Sequence, residues 1–210
     1  MNITHAVHEE VTGNVTKAIF DRQKELMAKY HDIELKSGLL QTEECPVNLN
    51  DKKGQARLKD FAWRVMEELG EALDADYDDD VIHFKEELVD GLHFLTEMAI
   101  LSGFDYNTFV EDEDDTYKLF FESGQVTSQA LSYRVTKFVR MMGMTCNCLK
   151  NKPWKQSQMI TDVKHFRDMF VKATAAYISI MAYVFNDYEE LSDTYFKKSQ
   201  VNKFRQRTNY

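Results

Sequence analysis

The sequence predicts an all-α protein, a bundle of long helices in one domain spanning residues 1–210. Three observations predict it. The 210 residues include only two Pro and eight Gly, so few positions break a helix. Apolar residues recur at helical spacing through most of the chain, and no stretch alternates as a strand would. At 43% hydrophobic the chain can bury a core, which a disordered chain cannot.

Residues 1–36 read as helix, with Val15, Ile19, Leu26 and Ile33 at near-helical spacing and Thr12-Gly13-Asn14 as a break or a cap. Residues 37–54 read as loop, marked by Ser37-Gly38 and by Cys45-Pro46, and long enough to position a substrate. The next helix spans 55–75. Leu58, Phe61, Ala62, Val65, Leu69, Ala72 and Leu73 form its apolar arc, and Glu68 sits at the edge of that arc. Residues 77–80 are an acidic connection. The helix 81–101 carries its main stripe on Val81, Phe84, Leu88, Leu92, Leu95 and Ala99, with Phe94 and Leu101 on a second face. A helix apolar on more than one side belongs at the centre of a bundle. Ser102-Gly103 ends it, and 105–115 is an acidic loop. The pattern is helical again from Thr116, with long segments at 126–148 and 162–186 and a tail helix at 188–204.

The net charge of −9 argues against general binding to nucleic-acid phosphates. The charge is uneven. Between residues 67 and 90 there are eleven acids and a single base, Lys85, whereas 194–210 hold five bases and no acid. Residues 134–172 are also basic, and Lys150, Lys152 and Lys155 are candidate phosphate donors there. Solvated faces of opposite sign would give the same pattern. Cys45, Cys146 and Cys148 are too few and too irregular for a disulfide framework or a four-ligand zinc site, so a reducing cytoplasm is expected. No N-terminal apolar run resembles a signal peptide, and the most apolar stretch, 173–185, is too short to span a membrane.

The acids carry the chemistry. Glu68 and Glu71 stand three apart on one helix, and Glu87 and Asp90 three apart on the next. Packed face to face, the two helices would gather four carboxylates around one point. Like charges that close repel and raise one another's pKa, so a cation is needed. Oxygen-only ligands suit Mg²⁺, with Mn²⁺ an alternative. Glu67 and Glu86 turn further toward solvent and have supporting roles. In the tail, Lys198, Asn202 and Arg205 stand at i, i+4 and i+7 on one face, where they can donate to phosphate or simply complement a helix C-terminus.

These residues resemble a family. Glu67-Glu68-x-x-Glu71 followed by Glu87-x-x-Asp90 is the pattern of the all-α nucleoside triphosphate pyrophosphatases. The run from Glu87 to Phe94, Glu-Leu-Val-Asp-Gly-Leu-His-Phe, looks like the second metal helix of the T-even-type phage dCTP/dUTP pyrophosphatases. The tail, with Lys198, Asn202, Arg205-Gln206 and a final Tyr210, looks like the C-terminal motif of the dimeric dUTPases. The resemblance covers roughly residues 57–107 and 184–210. It implies hydrolysis of a deoxynucleoside triphosphate, foremost dUTP with dUDP and dCTP as further candidates, to the monophosphate and pyrophosphate. It implies that Glu68, Glu71, Glu87 and Asp90 hold Mg²⁺, that Glu71, with Glu68, activates the attacking water, and that Glu67 supports them. It implies that Lys198, Asn202, Arg205 and Tyr210 close over phosphates and sugar, that Gln23 contacts the base, and that the protein is a homodimer. One departure is plain. The family usually carries Trp-Lys soon after the first metal helix, where this chain has Asp76-Tyr77-Asp78-Asp79-Asp80.

Two other readings compete. Asp90-x-x-His93 and Asp162-x-x-His165 are acid-x-x-His pairs, as in di-iron carboxylate bundles, although those use Glu. A non-catalytic helical interaction protein on the same scaffold is the second.

Overall fold

A computed structural model describes residues 3–8, 10–108 and 115–207. They form seven α-helices: α1 (Val15–Ser37), α2 (Lys52–Tyr77), α3 (Val81–Leu101), α4 (Thr116–Gln125), α5 (Leu131–Cys148), α6 (Val163–Val184) and α7 (Tyr188–Arg207). Single 3-10 turns at Ile3–His5 and Tyr106–Thr108 complete them, with no strand among the described residues.

The helix limits have local causes. Gly13 adopts φ 88°, and the Asn14 side chain accepts from Lys17 N–H, so α1 begins at Val15 and the helix expected from residue 1 does not form. Asp51 accepts from the N–H groups of Lys53 and Gly54, so α2 starts three residues earlier than periodicity alone indicates. The expected helix 126–148 starts late, at Leu131. The buried Arg134 guanidinium donates to the carbonyls of Gly124, Thr127, Gln129 and Ser179, and so holds 126–130 as a turn against α6. No residue type in that stretch announces it.

α2 and α3 form a hairpin, as do α5 and α6, and α4 packs on α6. α3 lies at the centre, touching α1, α2, α6 and α7, with 14 of its 21 residues buried. Its close contact with α6 depends on Gly91. A Cβ there would stand 2.0 Å from the Tyr177 hydroxyl, which donates to Leu88 O at 2.9 Å. Asp115 ties three elements together. It caps α4 at Lys118 N–H, accepts from the N–H groups of Val15 and Thr16 at the start of α1, and accepts from the Tyr188 hydroxyl of α7. One carboxylate thus satisfies the exposed donors of two helix N-termini. No single described helix is long and apolar enough to cross a membrane.

Candidate active site

The two acidic pairs meet where α2 faces α3. Oxygens of Glu68, Glu71 and Glu87 lie within 4.8 Å of one another, half-buried, exposed and buried respectively. Among the described residues this group contains no His or Cys. Burial first, then a hydrogen bond with Glu87 and the charges of Asp90, Glu87 and Glu71, push the Glu68 carboxyl up to about 8. His83 Nδ1 stands 3.1 Å from Glu87 Oε1. Three carboxylate oxygens brought together with little to neutralise them fit a hard divalent cation, which would be held by Glu68, Glu71 and Glu87.

Asp90, the fourth expected ligand, lies beside this group, and the structure turns it to Lys198. The ammonium is 2.8 Å from Asp90 Oδ2 and 3.4 Å from Glu86 Oε2. Lys198 is buried, which works against its charge, but Asp90 outweighs that and holds its pKa above the ordinary value. The sequence reading assigns Lys198 to substrate and Glu86 to a supporting role. The geometry makes both partners in a charge network on the acidic hairpin. Glu67, the other supporting acid, is exposed and accepts from Trp63 Nε1 at 2.9 Å.

Glu68 and Asp90 form one end of a cavity of about 390 Å³. Its walls come from four helices: Gln23, Leu26, Tyr30 and Glu34 of α1; Arg64 and Glu68 of α2; Asp90, His93, Phe94 and Glu97 of α3; Asn202 and Arg205 of α7. Phe94 meets Phe61 edge-on at 6.2 Å, and the Arg64 guanidinium lies over the Phe61 ring at 4.5 Å. This gives the cavity an apolar wall backed by a cation.

The other end is a buried hydrogen-bonded cluster. Gln23 Nε2 donates to Glu97 Oε2 at 2.8 Å. Gln23 Oε1 lies 2.8 Å from His93 Nδ1 and 3.3 Å from the Tyr195 hydroxyl. The His93 and Tyr195 rings stack with centroids 4.1 Å apart. Burial, assisted by the charges of Lys198 and Arg22, pushes His93 down to about 3, so it is neutral. Burial, with Glu34 nearby, pushes Glu97 up to about 7 against the opposing pull of Gln23, Arg57 and Arg64.

Of the residues singled out from the sequence, Gln23, Glu68, Asp90, Asn202 and Arg205 share this cavity; Glu71, Glu87 and Lys198 adjoin it through Glu68 and Asp90. Tyr210 lies outside the described residues. Lys150, Lys152 and Lys155 do not line the cavity. Their segment is fastened elsewhere, by Asn151, whose backbone N–H donates to Gln55 Oε1 and whose side-chain amide donates to the carbonyls of Asn50 and Met159. In the acid-x-x-His pairs, Asp162 caps α6 at His165 N–H, and His93 faces Gln23. Arg64 and Glu97 are cavity residues that sequence reasoning missed. Glu97 follows Glu87, Asp90 and Phe94 at helical spacing and is the one acid in α3 after Asp90, which is the signal that could have found it.

No curated protein and no solved structure matches the chain. The family model for dUTPase matches residues 74–210, from the end of α2 onward. The matched span includes Glu87, Asp90, Lys198, Asn202 and Arg205, while Gln23, Glu68 and Glu71 precede it. A match over about two thirds of the length, on an all-helical fold, settles membership: this chain belongs to the dUTPase family of the all-α nucleoside triphosphate pyrophosphatase type.

Proposed function

We propose that the protein is a Mg²⁺-dependent dUTP pyrophosphatase, which hydrolyses dUTP to dUMP and pyrophosphate and accepts dUDP or dCTP less well. The single observation that carries this reading is one cavity with carboxylates at one end, an amide network at the other, and Asn202 and Arg205 along its side. Family membership supports the same reaction class.

The residues divide the work. Phosphoryl transfer asks for positioning and charge neutralisation more than covalent help. Glu68, Glu71, Glu87 and Asp90 would hold the cation, with Asp90 released from Lys198. Mn²⁺ is an acceptable substitute on these oxygen ligands. Bound there, a divalent ion supplies charge neutralisation for the phosphates and lowers the pKa of a water. Glu71, the most solvent-open of the three gathered acids, takes the proton of the attacking water, and Glu68 orients it. Lys198 and Arg205 donate to phosphate oxygens, Asn202 to phosphate or sugar, and Tyr210 closes over them. Phe94 and Arg64 flank the nucleoside, and Gln23 contacts the base. In this reading residues 1–210 act as one domain in the cytoplasm and pair as a homodimer, and exposed Tyr77, Val81 and Ile82 at the hairpin tip are apolar surface for such pairing.

The test is a panel. The protein is incubated with Mg²⁺ and each of dUTP, dUDP, dCTP, dTTP, dATP and dGTP, and phosphate and pyrophosphate release are followed. Pyrophosphate from dUTP ahead of the others is expected. Absence of release from every nucleotide defeats the enzyme reading. Tightly held, near-stoichiometric iron in the purified protein would favour a di-iron bundle instead.

A further inference from the structure

We propose that Glu97 is a base-reading residue: its carboxylate, set beside the Gln23 amide, forms an acceptor–donor pair that matches N3–H and O4 of uracil and opposes the same edge of cytosine. The inference rests on the pyrophosphatase reading for its substrate and adds a residue that neither the acidic motif nor the tail motif contains.

Position is the first argument. Glu97 lies seven residues beyond Asp90 on the same side of α3, about 10 Å along the axis. That is comparable with the span from an α-phosphate across a deoxyribose to the far edge of a pyrimidine. Phosphates at the carboxylate end would place the base against Glu97 and Gln23, both of which line the cavity.

Unused hydrogen-bonding capacity is the second. Gln23 is 3% exposed and Glu97 6% exposed. Gln23 gives one amide hydrogen to Glu97 Oε2 and has a second. Glu97 Oε1 makes no hydrogen bond among the described residues. Both residues line the cavity, so a ligand bound there meets a free donor hydrogen beside an acceptor oxygen.

Fixed orientation is the third. Gln23 Oε1 accepts from His93 Nδ1–H and from the Tyr195 hydroxyl, so its nitrogen must face Glu97. His93 is 4% exposed, and its Nε2 has no partner, as a ring protonated on Nδ1 alone allows. With the amide locked, the wall presents N–H next to carboxylate. Uracil offers O4 to the N–H and N3–H to the carboxylate. Cytosine offers an amino group to the N–H and a lone pair to the carboxylate, and both contacts are repulsive. A site built to hydrogen-bond one edge rejects another because its buried groups are left unpaired. Thymine shares the uracil edge, so this pair does not act on C5.

The experiment compares wild type and Glu97→Gln at pH 8, where the carboxylate is ionised. The first arm measures kcat and KM with Mg²⁺ for dUTP, dCTP and dTTP. The second measures binding of dUMP and dCMP by calorimetry and needs no turnover. Expected for Glu97→Gln are a dUTP kcat/KM lower by about tenfold or more, carried mainly by KM, and a dCTP:dUTP ratio higher by about tenfold. The dTTP:dUTP ratio stays within about twofold. A folded Glu97→Gln protein with unchanged dUMP affinity and an unchanged dCTP:dUTP ratio overturns the proposal. If wild type hydrolyses no nucleotide, the pyrophosphatase reading fails, and the dUMP and dCMP arm still decides the role of Glu97. If Glu97→Gln does not fold, Glu97→Asp takes its place, since it keeps the charge but withdraws it by one methylene. Loss of dUMP affinity then supports the proposal, and unchanged affinity overturns it.

Discussion

The two ends of the cavity are built on opposite principles. At the hairpin end, burial and the crowding of Glu68, Glu71 and Glu87 push the Glu68 carboxyl up to about 8, and Lys198 stands against Asp90. At the other end, Gln23, His93, Glu97 and Tyr195 are buried, and each hydrogen bond among them supports the next. The first end is frustrated until a cation arrives. The second is ordered before any ligand arrives. Chemistry is assigned to the frustrated end and selection to the ordered one, since charge must be available for one task and shape must be fixed for the other.

Substitutions can break or sharpen that contrast. The largest effect is expected for Glu71→Gln, which removes a charge from the hairpin end. Turnover of dUTP should fall about a thousandfold, on the order of 4 kcal/mol, while circular dichroism and thermal midpoint stay near wild type. Activity within a few-fold of wild type would remove Glu71 from the ligand set. Next comes Lys198→Met. It strands Asp90 without its cation, so metal-free stability should fall by about 3 kcal/mol in urea unfolding. Added Mg²⁺ should recover more of that loss than it adds to wild type. Equal recovery in both proteins would show that Asp90 does not help to hold the metal.

Gly91→Ala tests the contact beneath both ends. The added Cβ cannot coexist with the Tyr177 hydroxyl, so a loss of about 1–2 kcal/mol is expected despite the better helix propensity of Ala. A stabilised variant would mean that α3 and α6 are free to separate there. The smallest effect concerns pH and the ordered end alone. Glu97 titrates at about 7 when folded, above its unfolded value of 4.5. Between those values the folded state holds a proton that the unfolded state has lost. Its contribution to stability is therefore full below about pH 4.5 and fades as pH rises through 7. The slope approaches about 1.4 kcal/mol per pH unit at most. Glu97→Gln should remove that part of the slope from urea unfolding of the metal-free protein between pH 5 and 8. Parallel curves for the two proteins would show that Glu97 titrates normally.

The hairpin end was legible in the sequence because its partners are neighbours. Glu68 and Glu71 announce each other at i+3, as do Glu87 and Asp90, and short turns bring the pairs together. The all-helical architecture was legible for a similar reason, since periodicity is local. The ordered end was not. Glu97 meets Gln23 across 74 positions, and a lone Glu late in an apolar helix has no local partner to give it meaning. The Lys198–Asp90 pair was hidden in the same way: each residue was visible, but their contact depends on how α7 crosses α3. The late start of α5 was hidden because Arg134 acts through carbonyls, and every residue carries a carbonyl.

The order of the cavity walls along the chain has a consequence for synthesis. α1, α2 and α3 have all been made by Leu101, whereas Asn202 and Arg205 arrive on α7, after α4, α5 and α6. On a ribosome, the acidic hairpin is therefore complete about a hundred residues of synthesis before Lys198 can stand against it. During that interval its crowded carboxylates must be relieved by protonation or by cations of the surrounding solution. A divalent cation bound there would then serve the nascent chain as a folding aid before it served the finished protein in any reaction.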